Sequence, residues 1–289
     1  IRDRYRVGEI GLMKKYNLKK TNIVSNLLCL VICVIAMLPF MWMIATSLRL
    51  PVDSFRLPPS FFPTVFHYQN YVEVFQKVPL LYYIGNSFLV SGVATLVQCI
   101  VTCMASYAFA RLSFKGKNTI FIILLSGLMI PVQTTVIPIF IMYKKIGLMD
   151  TRLGIILPLL INPLGIFIMK QFMESIPKSY DEAAKLDGAT HFSILFRIIA
   201  PMTKPAIVTV AVLAFVASWN DFYRPLIFIT SPDKMTLPLG MTALSGLMRN
   251  TSISIILAGI LISSVPLILI YSFGQRYFVQ GISLSGLKG

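Results

Sequence analysis

A chain of 289 residues that is 56% hydrophobic and only 13% charged, with a mean hydropathy of +0.77, lies far from the composition of a water-soluble domain. Its formal net charge of +15 is divided into short basic clusters between apolar runs. That distribution points to membrane orientation and contact with anionic lipid, and away from nucleic acid as a partner.

Residues 1–22 read as a basic cytoplasmic tail. Met13, followed by "KKYNLKK", is a plausible native start, and residues 1–12 read equally well as part of the tail. The first apolar run is too long for a secretory signal and lacks a small-residue cleavage site. Crossing hydrocarbon takes about 20 mostly apolar residues, and six stretches without Asp, Glu, Lys or Arg meet or approach that need. They are Thr21–Leu48, Val78–Ala110, Asn118–Tyr143, Leu153–Met169, Pro205–Asn220 and Asn250–Gln275. The fourth and fifth are short and borrow polar residues at their ends.

The expected fold is therefore an all-α membrane protein with six transmembrane helices, the first over 23–48. Segments on the side of the N-terminus carry 17 Lys and Arg, against 9 on the other side. The positive-inside rule then places both termini, 111–117 and 170–204 in the cytoplasm. Residues 49–80 form an extracytoplasmic segment rich in Pro and aromatics, including "LPVDSFRLPPSFFP". It reads as a loop with interfacial aromatic anchors, or as a lid or docking loop. Residues 82–276 hold the other five spans, and 277–289 form a cytoplasmic C-terminal tail.

Cys29 and Cys33, like Cys99 and Cys103, are spaced i,i+4 within spans, and neither His67 nor His191 lies in a span to complete a metal site. They read as small packing residues. Pro131, Pro138, Pro158, Pro163 and Pro266 interrupt the spans, which is tolerated where other groups satisfy the freed carbonyls. The chain has no phosphate loop, no H-E-x-x-H and no G-x-S-x-G elbow. No span carries an ionisable group near its middle, as proton- or sodium-coupled carriers usually require. Uphill transport would need energy from another subunit.

The stretch from Lys170 to Lys204 concentrates four acids and five bases in a chain that otherwise avoids charge. Ser179 and Glu182 have the S-x-x-E spacing of a capping box. Tyr180, Ala183 and Ala184 then share a narrow face that another surface could approach. Gly188 suits a left-handed helix end. Thr190 can cap a second short helix with Phe192, Leu195, Phe196 and Ile199 on one apolar face. Pro201 disfavours helix at Ala200, and Pro205 opens the next span.

"EAAKLDGA" followed by "FRIIAP" and Pro205 resembles the EAA motif of the permease subunits of bacterial ABC importers, most closely the carbohydrate branch that includes the maltose-transporter permeases. "NSFLVSGVATL", "SYAFARLSFKG", "SWNDFYRPLIF", "TLPLGM" and the ending "QRYFVQGISLSGLKG" agree, extending the resemblance over about residues 24 to 289. Ala200 stands where the family usually has Leu. The resemblance implies the type I ABC importer permease architecture in a bacterial plasma membrane, with the EAA stretch as a coupling helix. Glu182, Ala183, Ala184, Asp187 and Gly188 hold the motif positions that face an ATPase subunit. It further implies a second homologous permease, two cytoplasmic ATP-binding subunits and an extracellular solute-binding protein, with ATP and Mg on the partners and no cofactor on this chain.

The expected function is passage of a sugar, oligosaccharide or polyol; the alternatives are another solute, a secondary carrier or a scaffolding subunit. Asn86, Gln98, Gln133 and Asn162 are candidate pathway groups, and polar contacts between helices explain them equally well.

Overall fold

The computed structural model describes residues 23–53, 65–246 and 251–285, and every regular element among them is helical. The basic tail at 1–22, the middle of the Pro and aromatic segment at 54–64, and 286–289 lie outside the described residues.

Helix α1 (Ile23–Ser47) is apolar on all sides and exposed along most of its length; Leu27 and Ile35 are each 60% exposed. In water such a surface would aggregate, whereas lipid tails cover it at no cost. Cys29 and Cys33 lie on this exposed helix, so they do not pack within the chain as expected, whereas Cys103 does. A short helix α2 (Gln69–Lys77) folds back against the end of α1. There Asn70 donates to the carbonyls of Ser47 and Arg49, both at 2.8 Å.

Helix α3 (Leu80–Arg111) has 32 residues and spans about 48 Å at 1.5 Å per residue. That exceeds a hydrocarbon core of about 30 Å, so its ends reach the headgroup zones. It packs against α7 (Pro163–Glu174) and α10 (Lys204–Trp219); after the short helices α11 (Tyr223–Phe228) and α12 (Leu237–Gly246), α13 (Ile253–Ser285) packs on α10. The last helix thus continues through much of the segment marked off as a C-terminal tail. By length and composition, α1, α3 and α13 can each cross a membrane.

The other candidate spans are bent. Helices α4 (Lys117–Met129) and α5 (Val132–Ile146) meet at 100° beside Pro131. Helices α6 (Arg152–Leu159) and α7 meet at 41°, and α9 (His191–Met202) meets α10 at 83°. Polar side chains stand at two of these breaks. The Asn162 side chain accepts from the Gly165 amide at 3.0 Å, and Thr203 Oγ1 donates to the carbonyls of Ile199 and Ala200 at 3.0 and 3.1 Å.

Pro201 does not end its helix. Residues Ile194–Ile199 form π-helical turns and Ala200 keeps right-handed helical angles, so α9 runs to Met202. The wider turns change the hydrogen-bond register ahead of a residue that has no N–H to donate. They also rotate the helix face. Ile194, Leu195 and Ile199 are buried, whereas Phe192 and Phe196, expected on the same face, are 63% and 47% exposed.

Clusters of buried apolar residues follow α3 along its length, with Val90 and Ala94 in the one at its middle. Leu80, Tyr83, Phe215, Trp219 and Leu237 pack together near the start of α3. Cys103, Tyr107, Met169, Met173, Ile194 and Ile199 pack near its end. This last cluster also includes Ala184, so the charged loop is part of the packed molecule.

Candidate functional site

Helix α8 (Ser179–Leu186) begins one residue earlier than the S-x-x-E spacing implies. Lys178 is its cap residue, without a side-chain cap bond, and the Glu182 amide donates to the Lys178 carbonyl at 3.1 Å. Ser179 is therefore already helical, and the expected capping box is absent. Glu182 lies one position too late to reach back to the cap, which leaves its carboxylate exposed.

The other end matches expectation in detail. Gly188 has φ +78, its amide donates to Lys185 O at 3.0 Å, and the Ala189 amide donates to Ala184 O at 2.9 Å. These are the two bonds of a Schellman ending, which needs a left-handed residue where glycine stands. Thr190 then caps α9 by accepting from the Ser193 amide at 3.3 Å.

The helix has two unlike sides. Ala184 is buried, which corrects the expectation that both Ala183 and Ala184 face outward. Asp181 is buried as well, with Oδ2 3.5 Å from Arg111 Nε at the end of α3. Arg111 also donates to the Ile176 carbonyl at 2.9 Å. Tyr107, one turn earlier on α3, places its hydroxyl 3.3 Å from His191 Nδ1. The inner side of the loop is thus attached to α3 at two points.

The outer side is exposed and mixed in character. It carries Glu182, Ala183, Asp187 and Gly188, together with Tyr180 at 48% and Leu186 at 90% exposure. Leu186 thus stands almost fully exposed beside charged groups. Sequence reading singled out the small and acidic residues and missed Leu186, although its place between Lys185 and Asp187 in the motif was visible.

The pathway candidates separate into different environments. Gln98 Oε1 accepts from Asn162 Nδ2 at 3.1 Å, joining α3 to the break before α7. The hydroxyls of Ser91, Thr95 and Thr102 lie buried without partners on the same helix as Gln98. Asn86 is fully engaged: it donates to the carbonyls of Asp233 and Met235 at 2.8 and 2.9 Å and accepts from Arg152 at 3.0 Å. It binds loops together at the start of α3. Gln133 is exposed just after the α4–α5 bend.

Near Asn86 a second polar node closes the same end of the molecule. Asp150, at φ +55, accepts from the amides of Thr230 and Ser231 at 3.0 and 2.9 Å and from Lys234 Nζ at 2.8 Å. The Lys234 and Ser231 bonds hold its carboxyl well below the usual carboxylate range.

Comparison with known proteins places this geometry. The arabinooligosaccharides transport system permease protein AraQ of Halalkalibacterium halodurans is 33% identical over 261 residues, covering 89% of this chain and 93% of that protein. The trehalose/maltose transport system permease protein MalG of Thermococcus litoralis is 32% identical over 276 residues, covering 92% and 96%. Among solved structures, a bacterial ABC transporter involved in import of the acidic polysaccharide alginate superposes with a TM-score of 0.77 at 22% identity, over 89% of this chain and 95% of that one. The family described as "Binding-protein-dependent transport system inner membrane component" matches residues 101–284, which take in the end of α3, the charged loop and the last span, and the chain belongs to that family of permeases.

Proposed function

We propose that this chain is one of two permeases in an ATP-driven importer that receives a sugar, oligosaccharide or polyol from an extracellular binding protein. The observation that carries the coupling half is the two-sided loop. Its inner side is fixed to α3 through the Asp181–Arg111 and His191–Tyr107 contacts, while Leu186 and Glu182 face outward for an ATPase subunit. A displacement of that outer surface would pass directly to a helix long enough to cross the bilayer. In this reading ATP and Mg are held by the partner subunits, in keeping with a sequence that carries no G-x-x-x-x-G-K-[ST] stretch.

Each bent helix pair counts as one span in this reading, giving six in all. The 17-to-9 basic bias puts both termini and the α8–α9 loop in the cytoplasm. Carbohydrate as the cargo is supported by the glycans named for the relatives.

Reconstitution tests the proposal as a whole. Proteoliposomes holding this chain, its companion permease, the ATPase subunits and loaded binding protein should accumulate labelled oligosaccharide only with ATP. Accumulation driven by an ion gradient without ATP would make the chain a secondary carrier. ATP-dependent uptake of a non-carbohydrate alone would retain the machinery and overturn the cargo.

A further inference from the structure

A cleft of about 550 Å³ opens where α3 ends and α4 begins, distinct from the outward face of α8. Arg111, Ser113, Lys117, Asn118, Thr119 and Lys178 contribute its polar lining, and no acidic residue lines it. Arg111 is 4% exposed at its side chain, and its Nε has no hydrogen-bond partner. Asp181 lies behind Arg111 and offsets its charge, so Lys117 and Lys178 give the cleft its positive balance. Lys117 is fixed on the wall by donating to the Leu112 carbonyl at 3.0 Å, with two further ammonium protons to offer.

The start of α4 adds backbone donors. Gly116, at φ +77, turns the chain into the helix without a side-chain cap, and the first intrahelical bond runs from the Ile120 amide to Gly116 O at 2.9 Å. The preceding amides of Asn118 and Thr119 have no acceptor within the helix, an arrangement suited to an anion. Beyond the cleft, α4 buries none of its residues between Lys117 and Ser126, and Ile120, Ile122 and Ile123 are 48%, 65% and 65% exposed. Cationic groups at the head of an apolar, lipid-exposed helix match a molecule with an anionic head and hydrocarbon tails.

We propose that this cleft binds the phosphodiester headgroup of an anionic phospholipid from the cytoplasmic leaflet, with its acyl chains along α4. The test is native mass spectrometry of the assembled transporter extracted from nanodiscs of phosphatidylglycerol and phosphatidylcholine. The wild type should retain phosphatidylglycerol preferentially. Lys117→Gln and Lys178→Gln should each weaken retention about fivefold, the worth of one lysine near an anionic leaflet. Lys117→Arg with Lys178→Arg should restore it, which separates loss of charge from loss of fold. Equal retention of both lipids, or unchanged retention after both lysines become Gln, overturns the proposal. Displacement by millimolar inorganic phosphate that then remains bound would make this a free-anion site and also overturn it. So would loss of the ATPase subunit with lipid retained, which would assign the cleft to a protein contact. Lipid retention is read without transport, so its failure leaves the importer reading standing.

Discussion

The guanidinium of Arg111 lies 3.5 Å from the carboxylate of Asp181 with both side chains less than a tenth exposed, and neither carboxylate oxygen accepts a hydrogen bond. At this contact α8 is held to α3 by attraction between charges, beside the hydrogen bonds that Arg111 makes to the Ile176 carbonyl and Tyr107 makes with His191. Removing one member of a buried pair leaves an uncompensated charge and costs about 3–5 kcal/mol. Arg111→Gln or Asp181→Asn alone should therefore lower the melting temperature of the assembled transporter. The double variant should recover part of the stability, yet its ATPase should respond less to loaded binding protein. Wild-type stimulation in the stable double variant would reduce the pair to a structural role.

Gly188 supplies a test of loop geometry. No atom lies within 4 Å of where a Cβ would stand, so Gly188→Ala is opposed by its φ of +78 and not by crowding. The left-handed conformation costs about 1–2 kcal/mol in a residue with a Cβ. Gly188→Pro would also force φ negative and remove the bond to Lys185 O. Uptake should fall in the order Gly, Ala, Pro, with the subunit still present in membranes. Equal uptake by all three would mean that the turn does not set the coupling angle.

At the other end of the molecule, Asp150 predicts a pH dependence of defined sign. Its carboxyl is lowered from 3.8 by Lys234 and Ser231, so it stabilises the fold in its charged form. That contribution is complete above the unfolded value and is lost as pH falls toward the folded one. Asp150→Asn should lower the melting temperature by a constant amount from pH 8 to about 5, and the gap to wild type should narrow only below about pH 4. A gap that narrows near neutrality would point to another titrating group.

What could be read without coordinates was whatever local composition determines. Apolar runs marked the long apolar helices and helix pairs, Gly188 marked the turn, and Thr190 marked the second cap, because each depends on a few adjacent residues. What could not be read depends on distant partners. Asp181 turns inward because Arg111 waits 70 positions earlier, and Asn86 is used by carbonyls 147 and 149 positions later. The capping box failed on a shift of a single residue at Lys178. The π turns of α9 moved Phe192 and Phe196 outward by changing the period on which their shared face was inferred.

The outer tip of α8 provides the direct test of partner contact. Leu186 is 90% exposed, so replacing it removes little from the chain's own packing, and surface changes of that kind usually fall within about 0.5 kcal/mol. If the side chain fills a pocket on the ATPase subunit, Leu186→Ser forfeits about 1.5–3 kcal/mol of burial, a tenfold to hundredfold weaker association. Glu182→Gln keeps the side-chain size while removing the charge, and with no capping box to lose it should leave α8 intact. Both variants should reach the membrane at wild-type levels and melt normally. Pull-down should then recover less ATPase subunit, and uptake should fall in proportion. If both variants retain the subunit and transport at the wild-type rate, the tip is not the contact, and the exposed Phe192 and Phe196 of α9 become the next surface to alter.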